Sequence, residues 1–326
     1  MTEDAPIPRR SGSAWKLALR IAVTVVFLLV LVSKAHGVEH AIPSEHHLRT
    51  AVLLIAAVFM TLIGVVLSAW RWQSVLHVFG DHVPLPRLTR HYLASLFIGS
   101  TLPSTIGGDV LRVSRASNDV GSTTAFASVV LERLTGFIAL PLLVAVGFIV
   151  QPSLINHERT WIALLISGIT LTVLVLVLYI AGHPRIAGRF EERENWTRFI
   201  GAVHTGVDRV RREPSRALSV LGTAIVYQVS VVAVFALVFR ALDLDVPLVA
   251  VLALTPAVLM IQVLPISIGG LGVREGAIAF FFHSWDVNAR QALAAGLLWF
   301  GALVVVSMLG APAFLRHSTL GAEERT

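Results

Sequence analysis

The chain has 326 residues, 55% of them hydrophobic and only 14% charged, with a mean hydropathy of +0.77, a composition that excludes a soluble domain and describes a polytopic membrane protein. It has no cysteine, which excludes disulfides, thiolate metal sites and cysteine nucleophiles. The formal net charge of +6 is not a nucleic-acid footprint, because its placement along the chain follows membrane orientation.

Residues 1–14 form a polar tail carrying Arg9 and Arg10. Trp15 to Ser33 is a first span. A signal peptide competes for this stretch, since the apolar core Ile21–Val32 is short and Ser33-Lys34-Ala35 resembles a small-residue cleavage site. A retained span is favoured, because the later spans give it helices to pack against. Lys34 to Arg49 is a polar loop in which His36, His40, His46 and His47 lack the carboxylate spacing of a metal site. Thr50 to Trp70 has the roughly 20 residues needed to cross a bilayer, and Arg71-Trp72 places a cation and an aromatic ring where an interface is expected. Gln73 to Arg90 is amphipathic, broken by Pro84 and Pro86, and reads as interfacial. His91 to Leu102 is apolar but too short to span.

Ala125 to Val150 is a longer apolar run that holds Glu132-Arg133, and Trp161 to Ile180 is another span. Residues 183–216 are an extended polar loop rich in Arg and Glu. Ala217 to Phe239 spans again and ends in a turn with Asp243 and Asp245. Leu248 to Val263 is a short apolar segment expected to break at Pro256, Ala277 to Phe282 is another short piece, and Asn288 to Leu315 is the last span. Residues 316–326 are a second polar tail.

One stretch occurs twice. Leu102-Pro103-Ser104-Thr105-Ile106-Gly107-Gly108-Asp109-Val110-Leu111-Arg112 and Leu264-Pro265-Ile266-Ser267-Ile268-Gly269-Gly270-Leu271-Gly272-Val273-Arg274 agree at six of eleven positions without a gap. The copies lie 162 residues apart, close to half the chain, which marks an internal duplication. Helix-breaking Pro and Gly-Gly followed by Arg, at corresponding points of two hydrophobic halves, points to a midplane site in a repeat-built transporter.

Loop charge sets the orientation. With the N-terminal segment through Lys16 and Arg20, the Arg71–Arg90 loop, the 183–216 loop and the C-terminal tail in the cytoplasm, those segments hold 17 of the 26 Lys and Arg, against five in the opposite loops. The first motif then enters from the inside and the second from the outside. The expected fold is an all-α polytopic membrane protein of about six transmembrane helices plus two re-entrant helical hairpins in two inverted repeats. Residues 15–315 form one integral domain with repeat halves at about 50–150 and 216–315. The setting is the cell (plasma or inner) membrane, with both termini cytoplasmic.

Non-helical backbone at membrane depth survives only when buried in protein or lining a wet cavity. A helix starting at Gly107-Gly108 or Gly269-Gly270 presents unpaired N–H groups to an anion, and Arg112 or Arg274 is placed to hold a phosphate oxygen pair. The alternative is that the glycines permit tight packing and the arginines snorkel. Glu132, Arg133 and Glu275 are ionisable groups inside apolar segments, each costing about 2.5–3.5 kcal/mol to insert. They serve either as structural ion pairs or as headgroup and proton sites. Gln228 and Gln262 are read as helix–helix hydrogen-bonding groups. The Asp243-x-Asp245 spacing of metal-binding glycosyltransferases is common in exposed turns, and no Walker, His-Glu-x-x-His or Gly-x-Ser-x-Gly pattern occurs, so neither metal nor cofactor is expected.

Together, Leu102–Arg112, Leu131-Glu132-Arg133, Arg71-Trp72 and the second motif through Arg274-Glu275 resemble the lysylphosphatidylglycerol synthase transmembrane, flippase-like family from about Trp15 to Leu315. The resemblance implies a membrane domain that moves a modified lipid between leaflets, with re-entrant helices meeting near a headgroup cavity. By motif position, Arg112, Glu132, Arg133, Arg274 and Glu275 would line or support that cavity. The chain ends soon after its last span, so no aminoacyltransferase domain is expected and the lysyl lipid is not assigned as cargo. The expected activity is therefore lipid translocation without a chemical step. Its partners would be a membrane lipid and enzymes of envelope-lipid biosynthesis, with no nucleic acid. A soluble-anion transporter and a membrane enzyme or accessory subunit are the alternatives.

Overall fold

The computed structural model describes residues 47–101, 107–183, 204–210, 213–264, 267 and 270–313. The expected first span, both tails, most of the 183–216 loop, Gly269 and the proline of each motif lie outside them. Among the described residues no strand occurs. The helices in order are α1 (His47–Phe79), α2 (Leu85–Thr101), α3 (Gly107–Val120), α4 (Ser122–Val150), α5 (Trp161–Gly182), α6 (Pro214–Ala241), α7 (Leu248–Gln262), α8 (Val273–Phe281) and α9 (Ala289–Met308). Five of these, α1, α4, α5, α6 and α9, are long and apolar enough to cross a membrane.

Two boundaries depart from the sequence reading. The second span does not stop at Arg71-Trp72. Helix α1 runs on to Phe79, because Arg71, Trp72, Val75, Leu76 and Phe79 are all buried and keep the helix packed beyond the apolar run. It stops at Gly80, whose φ of +88° suits a residue without a Cβ. Pro256 does not break α7 either. It sits inside the helix, buried among apolar neighbours.

The helix packing repeats under the offset between the two motif copies. A shift of 162 residues carries the end of α1, Phe79, onto Ala241 at the end of α6, and Leu85–Thr101 onto 247–263, where α7 lies. Pairing α1 with α6, α2 with α7, α3 with α8 and α4 with α9 maps the helix packing onto itself. The α4–α7 contact has its counterpart in α9–α2, α4–α6 in α9–α1, and α1–α6 maps onto itself. Among the described residues, α5, the helical stretch 204–210 and the short 3-10 turns stand outside the scheme.

The equivalent helices α1 and α6 run antiparallel. Thr50 Oγ1 at the start of α1 donates to Ala241 O at the end of α6 (3.4 Å), while Arg216 Nη1 near the start of α6 donates to His77 O near the end of α1 (2.5 Å). A two-fold operation that superposes antiparallel helices has its axis perpendicular to them. For helices that cross a bilayer, that axis lies in the membrane plane.

Small residues set the closest crossings, as expected where lipid supplies no hydrophobic drive between helices. A Cβ on Gly147 of α4 would stand 2.5 Å from that of Ala253 on α7, and one on Gly64 of α1 would stand 3.3 Å from Ser230 Oγ on α6. The α2–α3 hairpin is clamped by Arg87 and His91, both of which reach Asp119 on α3. By contrast α5 turns Leu165, Ile169, Val173 and Leu176 outward. Such an exposed apolar stripe suits contact with lipid.

Candidate functional site

A buried ionic cluster lies where α1, α3 and α4 meet. Glu132 on α4 is almost wholly enclosed and uses its two carboxylate oxygens separately. Oε1 accepts from Arg71 Nη2 on α1, and Oε2 accepts from Arg112 Nη2 on α3 at 2.7 Å. The first-motif residue Arg112 is further held between the rings of Trp72 and Tyr92, 4.7 and 5.0 Å from the guanidinium carbon. Trp72 is itself fixed by a 3.0 Å bond from its Nε1 to Ser128 Oγ. Arg71 lies over the ring of Tyr227 at 4.6 Å. Desolvating charges is expensive, and three cation–π contacts with a shared carboxylate are what offset it here.

The cluster keeps an excess of positive charge, two guanidiniums to one carboxylate. It also keeps unused donors. Among the described residues, Arg71 Nε and Nη1 have no hydrogen-bond partner, although both atoms are buried. Gly136 makes room for that free end, since a Cβ there would stand 2.7 Å from Nη1. Beside it opens a cavity of about 180 Å³ lined by Arg71, Glu132, Arg133, Tyr227, Gln228 and Gln262, with Trp299 from α9 closing one wall. Gln228 Nε2 donates to Gly136 O at 3.2 Å, the helix–helix bond expected of it. Gln262 instead presents a buried Oε1 that has no partner among the described residues.

The second motif builds a different centre. Glu275 Oε2 accepts from the Gly272 backbone N–H at 2.7 Å and so caps α8, while Oε1 accepts from Arg274 Nε at 3.0 Å. Both side chains are fully buried. Arg274 rests on Trp299 and Phe300, at 4.9 and 5.8 Å. The Glu275 carboxylate is packed against Gly296, where any side chain would collide with it. Trp299 therefore faces the first cavity and also carries Arg274.

The remaining sequence candidates divide accordingly. Arg133 pairs with Asp109 at 2.5 Å, and its side chain is half-exposed. Gly107 is the first residue of α3. Gly108 lets α3 approach α2, because a Cβ there would lie 2.7 Å from Ser95 O. Gly270 adopts φ +74° in the turn before α8. Asp243 bonds Arg49 at 2.6 Å in an exposed pair that ties the two repeats together. No group of three metal-ligating side chains occurs among the described residues.

The reading of Arg71-Trp72 as interfacial is corrected by their burial. Tyr92, Tyr227 and Trp299 are site residues that the sequence did not single out, and Arg71-Trp72 stood out there only as an interfacial pair and as part of the family resemblance. A faint signal existed: of only three tyrosines in the chain, two, Tyr92 and Tyr227, line this cavity.

Comparison with known proteins agrees with the membrane-spanning, all-helical architecture. A UPF0104 membrane protein of Methanothermobacter thermautotrophicus is 25% identical over 271 residues, covering 72% of this chain and 75% of the relative. UPF0104 membrane protein PH1989 of Pyrococcus horikoshii is 26% identical over 167 residues, covering 50% of this chain and 48% of the relative. The family model described as lysylphosphatidylglycerol synthase TM region matches residues 17–310. The chain is a multi-pass membrane protein that belongs to the lysylphosphatidylglycerol synthase transmembrane-region family.

Proposed function

We propose that this protein is a lipid translocase. It binds a phosphate-bearing headgroup in the cavity between its repeats and carries the lipid between leaflets. One observation carries the proposal: the Nε and Nη1 of buried Arg71, unpaired among the described residues, beside a cavity at the meeting of both halves, in a cluster with one positive charge in excess. A guanidinium edge is suited to bidentate contact with phosphate oxygens. Tyr227 and the glutamines Gln228 and Gln262 add neutral polar groups for sugar, glycerol or aminoacyl parts.

Transport follows from the internal symmetry. In the present arrangement the first-motif cluster borders an open cavity, while Arg274 and Glu275 pair with each other in the buried interior and leave Arg274 Nη1 without a hydrogen-bond partner among the described residues. Exchanging the conformations of the two halves would bury the first centre and open the second on the opposite side. The paired short helices α2–α3 and α7–α8 would be the re-entrant elements. At about 1.5 Å per residue each is shorter than the ~30 Å hydrocarbon core. Under the loop-charge orientation the chain sits in the cell membrane with both termini inside. It would hand lipid to or from enzymes of envelope-lipid assembly, with no chemical step of its own.

Mass spectrometry of lipids that co-purify with wild type and with Arg71→Gln tests the reading. Selective enrichment of a phosphate-bearing lipid on the wild type, lost in the variant, supports it. A bulk-membrane profile in both, together with uptake of inorganic phosphate or another small anion by proteoliposomes, would replace it with soluble-anion transport.

A further inference from the structure

A second space adjoins the polar cavity. Between α3 and α4 lies an apolar groove of about 600 Å³, within the range of about 300–1,000 Å³ common for ligand clefts. Val110, Val113, Phe126, Val129 and Leu134 line it, and its charged lining residues are Asp109 and Arg133. Arg133 and Phe137 line both the groove and the polar cavity, so the two spaces meet at these side chains. The Asp109–Arg133 pair at the junction is partly open to the surroundings, unlike the enclosed Arg71–Glu132–Arg112 cluster behind it. Of the two ion-pair systems, the partly exposed one is the weaker, because solvent screens its charges.

We infer that the α3–α4 groove receives the hydrocarbon chain of an anionic lipid whose phosphate lies in the adjoining cavity, with the Asp109–Arg133 pair as the neck between them. The inference rests on the translocase reading and specifies where the lipid enters. Charge complementarity selects the occupant. An apolar channel that ends at a net-positive pocket matches an amphiphile with a hydrocarbon tail and an anionic head. A free anion would have no use for the channel. As the headgroup passes, Arg133 exchanges the Asp109 carboxylate for a phosphate oxygen, so the guanidinium keeps an anionic partner throughout.

The test uses full-length protein in proteoliposomes containing phosphatidic acid with a diazirine in one acyl chain, and locates photolabelled residues by mass spectrometry. We expect labelling at Val110, Val113 and Val129 at least fivefold above that at Leu165 and Val173, which face outward on α5. Arg71→Gln, which leaves the groove lining intact, should lower groove labelling at least fivefold, as should Val113→Trp or Val129→Trp. Labelling of α5 should stay constant and so reports folding. Equal labelling of the groove and α5, or groove labelling indifferent to Arg71→Gln, overturns the inference by reducing the groove to ordinary annular lipid contact. A disulfide between Val113→Cys and Phe27→Cys, with no lipid label in the groove, overturns it by assigning the groove to the chain's own first apolar segment. Saturable inorganic phosphate binding that is lost in Arg71→Gln, without lipid labelling anywhere in the site, defeats the translocase reading itself.

Discussion

Arg112 on α3 and Glu132 on α4 form a buried ion pair, with Arg112 Nη2 donating to Glu132 Oε2 at 2.7 Å in surroundings that exclude solvent from both side chains. The pair ties the first repeated motif to the span that follows it. Because Glu132 also accepts from Arg71, one carboxylate connects three helices. Removing the carboxylate from such a centre leaves both guanidiniums uncompensated, and the consequences are large enough to measure.

Glu132→Gln should be the most damaging single substitution in the chain. It leaves two buried guanidiniums without a counter-charge, which costs about 3–5 kcal/mol. Thermal unfolding in detergent should show a pronounced fall, and a combined Arg112→Met/Glu132→Met variant should recover part of it. A melting temperature equal to wild type would show that the cluster is not a structural centre.

Asp109 and Arg133 should behave oppositely. Their pair is partly exposed, so Arg133→Ala should change stability by under about 1 kcal/mol. Lipid exchange should nonetheless fall several-fold, measured by quenching of a fluorescent phospholipid in proteoliposomes. Wild-type exchange by Arg133→Ala would leave the pair without a transport role.

Two glycines should separate packing from binding. Gly147→Ala places a methyl 2.8 Å from Ala253 Cα, so α4 and α7 must part, at a cost of about 1–3 kcal/mol. Gly136→Ala meets only the flexible end of Arg71, 2.7 Å away. Stability should change little while headgroup retention drops. Unaltered co-purified lipid in Gly136→Ala would argue against Arg71 as the headgroup donor.

The cysteine-free chain permits a direct topology test. Asp81 follows α1, and Asp245 follows the equivalent helix α6. A membrane-impermeant maleimide should label Asp245→Cys on intact cells and Asp81→Cys only after permeabilisation. Labelling of both from one face would contradict the inverted arrangement.

Class, repeat and element order were legible in the sequence because they are encoded locally. A bilayer imposes a length on apolar segments, and a duplicated motif declares itself by identity at a constant offset. That is why α4, α5 and α6 lie within a few residues of the expected spans, and why the halves exchange under a shift of 162. Partners of charged side chains are another matter. Arg112 and Arg274 occupy matching motif positions, yet one is neutralised by Glu132 on a neighbouring helix and the other by its chain neighbour Glu275. Position 294, the counterpart of Glu132, is an alanine, so the symmetry of the fold does not extend to its charges. Arg71 at the end of an apolar run has the sequence signature of an interfacial cation. Only the crossing of α1 with α4 and α6 brings Glu132, Gly136 and Tyr227 to it and makes it a buried donor. Hydrophobic length is a property of a segment, whereas the cost of a buried charge is settled by what the other helices bring within about 3 Å of it.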